Sequence, residues 1–321
     1  MKFNKLTLLV LSVIGSYTFA FSQVENATDT TYWKKAAKTS LTFTQTTLEN
    51  WAAGGNNSIA FNTGLNAFAN YAKDRTTFEN LLEVGYGLIR QDNADFRKSD
   101  DKIIFSTKLG YQIKNKKHLF WSSLIDFKTQ FYEGVNVLED GTEVYISDFM
   151  APGYLTISTG LEWKPNDNFS LLFSPATGKM TFVSIGKFAD RGDFGVEPAV
   201  YDTDGVTKLK DGKNFRGEFG TFLKLYFKKD IFKNVNYETK LELFIGYDEN
   251  FGNIDVNWQN AITMKVNDWL MASFVTQLLY DDDVEIATKF DPVDNTPLDA
   301  SPRIQYKQIL GVGLTFIVGD K

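Results

Sequence analysis

The sequence predicts an all-β fold, a transmembrane antiparallel up-and-down β-barrel of about 12 strands with both termini periplasmic. Three observations lead to this prediction. They are an N-terminal export signal, long segments in which apolar and polar residues alternate, and connections whose lengths alternate between long and short. The chain has 321 residues, with 28 Phe, 14 Tyr and 6 Trp, which is enough for one large, aromatic-rich β domain.

The N-terminus has the order of an export signal. Lys2 and Lys5 lead into an apolar stretch at residues 6–20, and small residues lie just before Gln23. The stretch is too short to cross ~30 Å of hydrocarbon, and no basic stop-transfer segment follows it. We therefore expect a signal peptide (residues 1–22), a periplasmic or lumenal N-terminal segment (23–40) and an outer-membrane β-barrel (41–321).

Alternation with a period of two is clearest in residues 101–114. One face carries Ile103, Phe105, Thr107, Leu109, Tyr111 and Ile113. The other face carries Lys102, Ser106, Lys108, Gln112 and Lys114, with Ile104 as the apolar exception. Such segments reach the 9–11 residues that a tilted membrane strand needs, roughly. Because lipid cannot hydrogen-bond a free strand edge, we expect them to close into a barrel rather than to form a soluble sandwich.

Connection lengths support the barrel independently. Long connections are found at residues 51–57, 91–100, 133–152, 190–212, 248–252 and 282–302. Short ones separate them, at residues 73–75, 115–117, 165–167, 229–234 and 267–268. Outer-membrane barrels have short periplasmic turns and long outer loops, so the long connections are expected to face outward. A hairpin within 168–188 would break this order, and we predict one bulged strand there.

The inward face is predicted to carry both signs of charge. We expect a lumen network in which adjacent strands place Arg216 and Glu218 opposite Glu238, Lys240 and Glu242, with Asp255 nearby. A charge-selective pore favours rings of one sign. Mixed charges favour a salt-bridged and largely filled lumen, and an open channel is the alternative.

Residues for catalysis or metal binding are sparse. The chain has no Cys, and its one His, His118, stands beside a predicted short turn without a nucleophile or acid near it. Residues 280–283, Tyr-Asp-Asp-Asp, offer oxygens for Ca²⁺, but three acids in a row are more typical of a solvated loop. The net charge of -6 includes no basic block, which argues against nucleic acid as a partner. We expect no enzyme activity, no cofactor and no metal site.

Several short blocks resemble the signature of a Bacteroidota exported-protein family of unknown function. They are W-x-x-G-G at 51–55, S-P-x-T-G-K at 174–179, D-V-N-W at 255–258 and the acidic run at 280–283. The resemblance implies an outer-membrane β-barrel and no catalytic residue. Physically, Trp51 is an interfacial anchor and the glycines allow a tight turn. Pro175 and Gly178 are expected to bend a strand, and Lys179 to point into the lumen. The residues of these blocks to which we assign a structural role are Trp51, Gly54, Gly55, Pro175, Gly178 and Lys179.

These observations favour a non-enzymatic integral barrel of the cell outer membrane. We expect an accessory or scaffold subunit of an envelope complex, for example in outer-membrane or surface-protein assembly. Its partners are then outer-membrane lipid and other envelope proteins that dock on the outer loops. The alternative is a transport barrel or channel for small solutes or apolar molecules.

Overall fold

The computed structural model describes residues 31–47, 57–92, 94–137, 143–247, 252–287 and 298–319. Its wall consists of β1 (Trp33–Thr46), β2 (Ser58–Lys73), β3 (Thr76–Gln91), β4 (Arg97–Gln112), β5 (Leu119–Thr129), β8 (Gly153–Asn166), β9 (Phe169–Phe182), β12 (Phe215–Phe232), β13 (Val235–Gly246), β14 (Asp255–Lys265), β15 (Leu270–Tyr280) and β18 (Gln305–Gly319). The described part of the long connections contains three hairpins and one α-helix: β6 (Gly134–Val137), β7 (Glu143–Ser147), β10 (Val200–Tyr201), β11 (Lys208–Lys210), β16 (Glu285–Ala287), β17 (Ala300–Pro302) and α1 (Gly186–Arg191). No helix among the described residues is long and apolar enough to cross a membrane.

The wall strands close into one antiparallel barrel in which each strand pairs with its neighbours along the chain, and β18 pairs back with β1. The predicted barrel of twelve strands is therefore confirmed. Its first strand begins at Trp33 rather than at the predicted boundary, Leu41. Lysines at three of the first six positions of β1 obscure the alternation in the sequence, although Ala36 and Lys38 continue the inward-facing register of the strand.

The two faces of the wall differ in polarity, as β5 shows. Trp121 and Ile125 point outward and are 51% and 43% exposed, whereas Ser122 and Asp126 point inward and are buried. Exposed apolar side chains recur on the outer face of the other wall strands. A continuous apolar outer face is the pattern of a barrel solvated by lipid.

Aromatic residues ring both ends of this outer face. Near the short turns, the ring of Trp33 lies 5.3 Å from that of Tyr71, and the rings of Trp163 and Phe169 are 5.5 Å apart. Pairs at the opposite end include Phe43 with Phe61, Phe182 with Phe215, and Phe219 with Tyr247. Two such girdles mark the interfaces of membrane barrels.

The short turns follow from residues that tolerate a left-handed backbone. Asp74, Asn115 and Asn234 have φ of 54°, 63° and 64°, a region that Asp and Asn enter more readily than other side chains. In the turn before β15, the Asn267 side chain accepts hydrogen bonds from the backbone N–H groups of Trp269 and Leu270. These turns share one end of the barrel with the start of β1 and the end of β18.

β9 is one strand with a bulge and not a hairpin, as predicted, but it ends at Phe182 and the predicted strand residues 186–188 belong to α1. Two residues, Ser174 and Pro175, stand opposite the single residue Gly160 of β8. A Cβ at Gly160 would lie 2.1 Å from the carbonyl oxygen of Phe173, so the bulge needs glycine there. The buried Ser174 hydroxyl donates to the carbonyl of Thr159 at 2.7 Å and accepts from its N–H at 3.0 Å. The side chain therefore satisfies backbone groups that the bulge separates.

The seam between β1 and β18 is the shortest interface in the wall. Its register joins seven residue pairs, from Ala36 with Gly319 to Thr42 with Gly313. The other wall interfaces of the described strands join at least ten pairs each. Beyond Thr42, the outer part of β1 pairs with β2 alone.

Candidate functional site

The lumen contains three layers of ion pairs, and the first lies nearest the short turns. The Glu79 carboxylate of β3 accepts from Lys108 at 2.9 Å and also from Lys164. Glu162 of β8 is fully buried and accepts from Lys108 at 2.5 Å and from the Ser122 hydroxyl at 2.6 Å. Within this layer, the inward charges of four adjacent strands pair with one another.

The second layer crosses the lumen. Lys240 Nζ lies 2.5 Å from Glu83 Oε1, and these residues belong to β13 and β3, six positions apart in a ring of twelve strands. The Glu83 side chain is 8% exposed and also accepts from Lys102 at 3.3 Å, while Glu238 lies 3.4 Å from Lys240. One ion pair therefore joins opposite walls of the barrel.

Glu242 forms a second crossing beside it. Its carboxylate lies 2.5 Å from Lys128 Nζ of β5 and 2.8 Å from Lys224 Nζ of β12. Asp126 of β5 lies within 3.4 Å of the same two lysines. Two carboxylates and two ammonium groups on three strands make this cluster electrically neutral.

The third layer lies toward the long connections and is centred on Lys179. Its Nζ is 2.5 Å from Asp255, 2.9 Å from Asp281 and 3.7 Å from Glu218. Lys179 thus points into the lumen, as the sequence suggested. The interpretation of residues 280–283 as a solvated loop is wrong for Asp281, because this lumenal lysine binds its carboxylate.

Arg216 belongs to this third layer and not to the predicted cluster. Its guanidinium donates to Asp283 at 2.5 Å, to Glu218 at 3.4 Å and to the carbonyl of Gly195 at 2.9 Å. The expectation that Arg216 and Glu218 oppose Glu238, Lys240 and Glu242 is incorrect. The register sets Lys224 opposite Glu242 and Lys228 opposite Glu238, so Arg216 lies beyond the long-connection end of β13.

Gly178 does not bend β9, since it pairs regularly with Ile157 and Phe219, and the register shift lies at residues 174–176. His118 lies at the short-turn end, where its Nδ1 is 3.1 Å from the carbonyl oxygen of Lys164. Trp51, Gly54 and Gly55 lie outside the described residues.

The sequence analysis missed an apolar cluster inside the lumen. The inward-facing side chains of Leu124, Leu172, Phe222 and Phe244 come from four wall strands and are each at most 6% exposed. They lie on faces that are otherwise polar, so alternation identifies them only as exceptions. Together with the ion pairs, they fill part of the barrel cross-section.

The long connections also form a folded cap, which we define as residues 143–152 and 183–214. Its core is Phe188 of α1, which is fully buried and packs against Tyr145 with ring centroids 4.8 Å apart. Phe194 closes the other side at 6.1 Å. The Arg216 bond to the Gly195 carbonyl ties this cap to the barrel mouth.

Charges on the cap are paired as well. Lys210 and Lys213 donate to the exposed Glu197 carboxylate, and these hydrogen bonds lower the pKa of Glu197 to about 2. Burial, followed by a hydrogen bond to Asp148, raises the pKa of the Tyr145 hydroxyl to about 12. Within the described ranges, no group of three or more His, Cys, Asp or Glu side chains has the arrangement of a metal site.

Comparison with known proteins adds family and fold similarities. Residues 43–135, less than a third of the chain, match the model of a family described as a protein of unknown function, DUF3078. No curated protein matches the sequence significantly. Among solved structures, the translocator domain of the autotransporter NalP from Neisseria meningitidis is similar with 8% identity, TM-score 0.39, and coverage of 97% of this chain and 98% of that one.

Two further similar structures are described as a channel and a transporter. The COG4313 outer membrane channel from Pseudomonas putida F1 has 7% identity and a TM-score of 0.38, with 90% of this chain and 96% of that chain covered. The toluene transporter TodX of P. putida has 8% identity and a TM-score of 0.28, with 90% of each chain covered. The assignment of the fold itself comes from the hydrogen-bonded closure of this chain's twelve wall strands.

Proposed function

We propose that this chain is a non-enzymatic barrel of the outer membrane that acts as a scaffold or accessory subunit of an envelope complex. The observation that carries the proposal is the ion pair between Glu83 and Lys240, which joins opposite walls of the lumen. A barrel crossed in this way is better suited to present a fixed surface than to pass solutes freely.

Placement in a membrane is supported by the outer face. Side chains such as Trp121 and Ile125 leave apolar surface exposed around the wall, and aromatic girdles bound it at both ends. In water, apolar area of this kind is unfavourable by about 25 cal/mol per Å². In lipid the same surface is solvated, and the closed ladder leaves few backbone groups without a partner.

The cap supports the scaffold role. Its own apolar core around Phe188 orders the long connections before any partner is present. A preordered surface loses less conformational entropy on binding than a flexible loop does. The cap also bears exposed apolar side chains, among them Val200, Tyr201, Val206 and Leu209, which are suited to contacts with another protein.

Purification from native membranes tests this proposal. The tagged wild-type barrel, extracted in mild detergent, is expected to carry partner proteins in stoichiometric amounts. Phe188→Asp, which places a charge in the cap core, should lose these partners while the barrel stays folded. Phe232→Asp is the matched control, because Phe232 is 72% exposed at the opposite end. A lone monomer from wild-type membranes contradicts the scaffold role.

A second candidate is a transport barrel for small solutes, and one observation favours it. A cavity of about 480 Å³ lies within the long-connection half of the lumen. Planar-bilayer recording distinguishes the two functions. The scaffold predicts no conductance steps from correctly inserted wild-type barrel, and reproducible steps favour transport.

A further inference from the structure

The lumen contains a cavity whose properties do not depend on which of the two functions holds. It lies between the Lys128–Glu242 pair and the barrel mouth and has a volume of about 480 Å³. Small-molecule sites usually occupy roughly 300–1,000 Å³. Lys307, whose side chain is 44% exposed, stands at the rim and leaves the cavity open to solvent. The cavity therefore has the size and the access that a small ligand needs.

Every charged group that lines the cavity is already engaged in an ion pair. Each lining carboxylate or ammonium group has an ion-pair partner within 3.3 Å: Lys307 with Asp100, Lys98 with Asp101, Lys102 with Glu83, Lys128 with Glu242, and Lys179 with Asp255 and Asp281. An anionic ligand would have to draw one of these lysines away from its carboxylate and leave that carboxylate without its partner, which is unfavourable in a partly buried site. The lining therefore disfavours an anionic ligand.

One wall of the cavity carries uncharged amides instead. Asn257, Gln259, Gln277 and Gln305 project inward from β14, β15 and β18, which are adjacent strands. The Gln277 amide donates to Asn257 at 3.1 Å, and Asn257 donates to Glu242 at 3.1 Å. The side-chain amides of Gln259 and Gln305 have no hydrogen-bond partner in the described part of the chain. These two amides each offer donors and an acceptor to a ligand.

The neighbouring strands β13 and β12 supply apolar surface. Phe222 and Phe244 line the cavity as part of the apolar cluster, and Tyr154 lies beside them. The Tyr154 hydroxyl also has no hydrogen-bond partner among the described residues. An apolar ligand would displace water from the free amides and this hydroxyl and leave them without partners, which is unfavourable. A ligand must therefore combine neutral hydrogen-bonding groups with an apolar face.

We propose that the cavity binds a neutral polyhydroxylated ligand of the saccharide class. A sugar hydroxyl both donates and accepts, which matches the amides of Gln259 and Gln305. The C–H face of a sugar ring is apolar and matches the floor formed by Phe222 and Phe244. This assignment goes beyond the scaffold role, which requires no ligand.

Saturation-transfer difference NMR and calorimetry on the full-length barrel test the assignment. The protein is kept in a detergent without a sugar headgroup, and the probes are maltose, cellobiose, glucuronate and toluene. We expect millimolar binding of at least one neutral disaccharide and weaker binding of glucuronate and toluene. Gln259→Leu and Gln305→Leu should each weaken disaccharide binding by about tenfold, through the loss of hydrogen bonds to the ligand.

Gln308→Leu is the matched control, because Gln308 lies on β18 but faces outward and hydrogen-bonds Tyr306. Its disaccharide affinity should equal that of the wild type. The assignment is overturned if neither disaccharide binds, if glucuronate or toluene binds more tightly, or if both lumenal variants bind like the wild type. Heat-modifiable migration of each variant verifies that the barrel is folded.

Discussion

The ion pair that crosses the lumen gives the sharpest test of how this barrel is held together. Lys240→Met removes the ammonium that lies 2.5 Å from Glu83, whose side chain is only 8% exposed. Removal of one partner from a buried ion pair usually destabilises a protein by about 3–5 kcal/mol. Because Lys102 remains 3.3 Å from Glu83, we expect the lower end of this range, about 3 kcal/mol.

The measurement is urea unfolding of barrels reconstituted in lipid vesicles, followed by tryptophan fluorescence. Glu83→Gln and the double variant complete a double-mutant cycle, and the coupling energy should be about 1–3 kcal/mol. Lys38→Met is the control, since Lys38 also faces the lumen but forms no ion pair with the described residues. Its effect should stay within about 0.5 kcal/mol. Additive single effects, or an equal loss in Lys38→Met, would refute a stabilising contact between opposite walls.

Three further predictions concern the bulge and the cap. Ser174→Ala leaves two backbone groups of the bulge unpaired and should lower unfolding free energy by about 2 kcal/mol; Ser170→Ala, which removes no comparable bonds, should have little effect in the same assay. Phe188→Ala should destabilise the cap by about 3–5 kcal/mol. The measurement is limited proteolysis, which should cleave residues 183–214 faster than in the wild type. Unchanged heat-modifiable migration verifies that the barrel itself is intact. Because the folded-state pKa of Glu197 is lowered from 4.5 to about 2, its contribution to cap stability is present above pH 4.5 and is lost as the pH falls toward 2. NMR titration of Glu197 should show this low pKa, and Lys210→Met should raise it; an ordinary pKa in the wild type contradicts the pairing.

Local patterns determine the wall of this barrel, and they are visible in the sequence. The inward position of Lys108 or the outward position of Leu109 depends only on the two-residue period of a strand. The bulge at Ser174 follows from a proline that cannot donate to the ladder. The number of strands and the shared end of the short turns can therefore be predicted from the sequence.

Contacts across the lumen depend on information that a single strand lacks. Whether Glu83 meets Lys240 is set by strand register and by the position of β3 and β13 around the ring. For the same reason the partners of Arg216 were predicted wrongly, because its partner Asp283 comes from the connection after β15. The cap core around Phe188 was missed because its residues come from separate connections and share no period.

The short seam between β1 and β18 has a consequence for the order of folding. The other wall interfaces form between strands that follow each other in the chain, whereas the seam joins Ala36 to Gly319. Bringing such distant segments together carries a large loop-closure entropy, which must be met before the pairing stabilises the product. Closure should therefore be the last and slowest step, and a chain stalled before it would expose two unpaired strand edges to other chains.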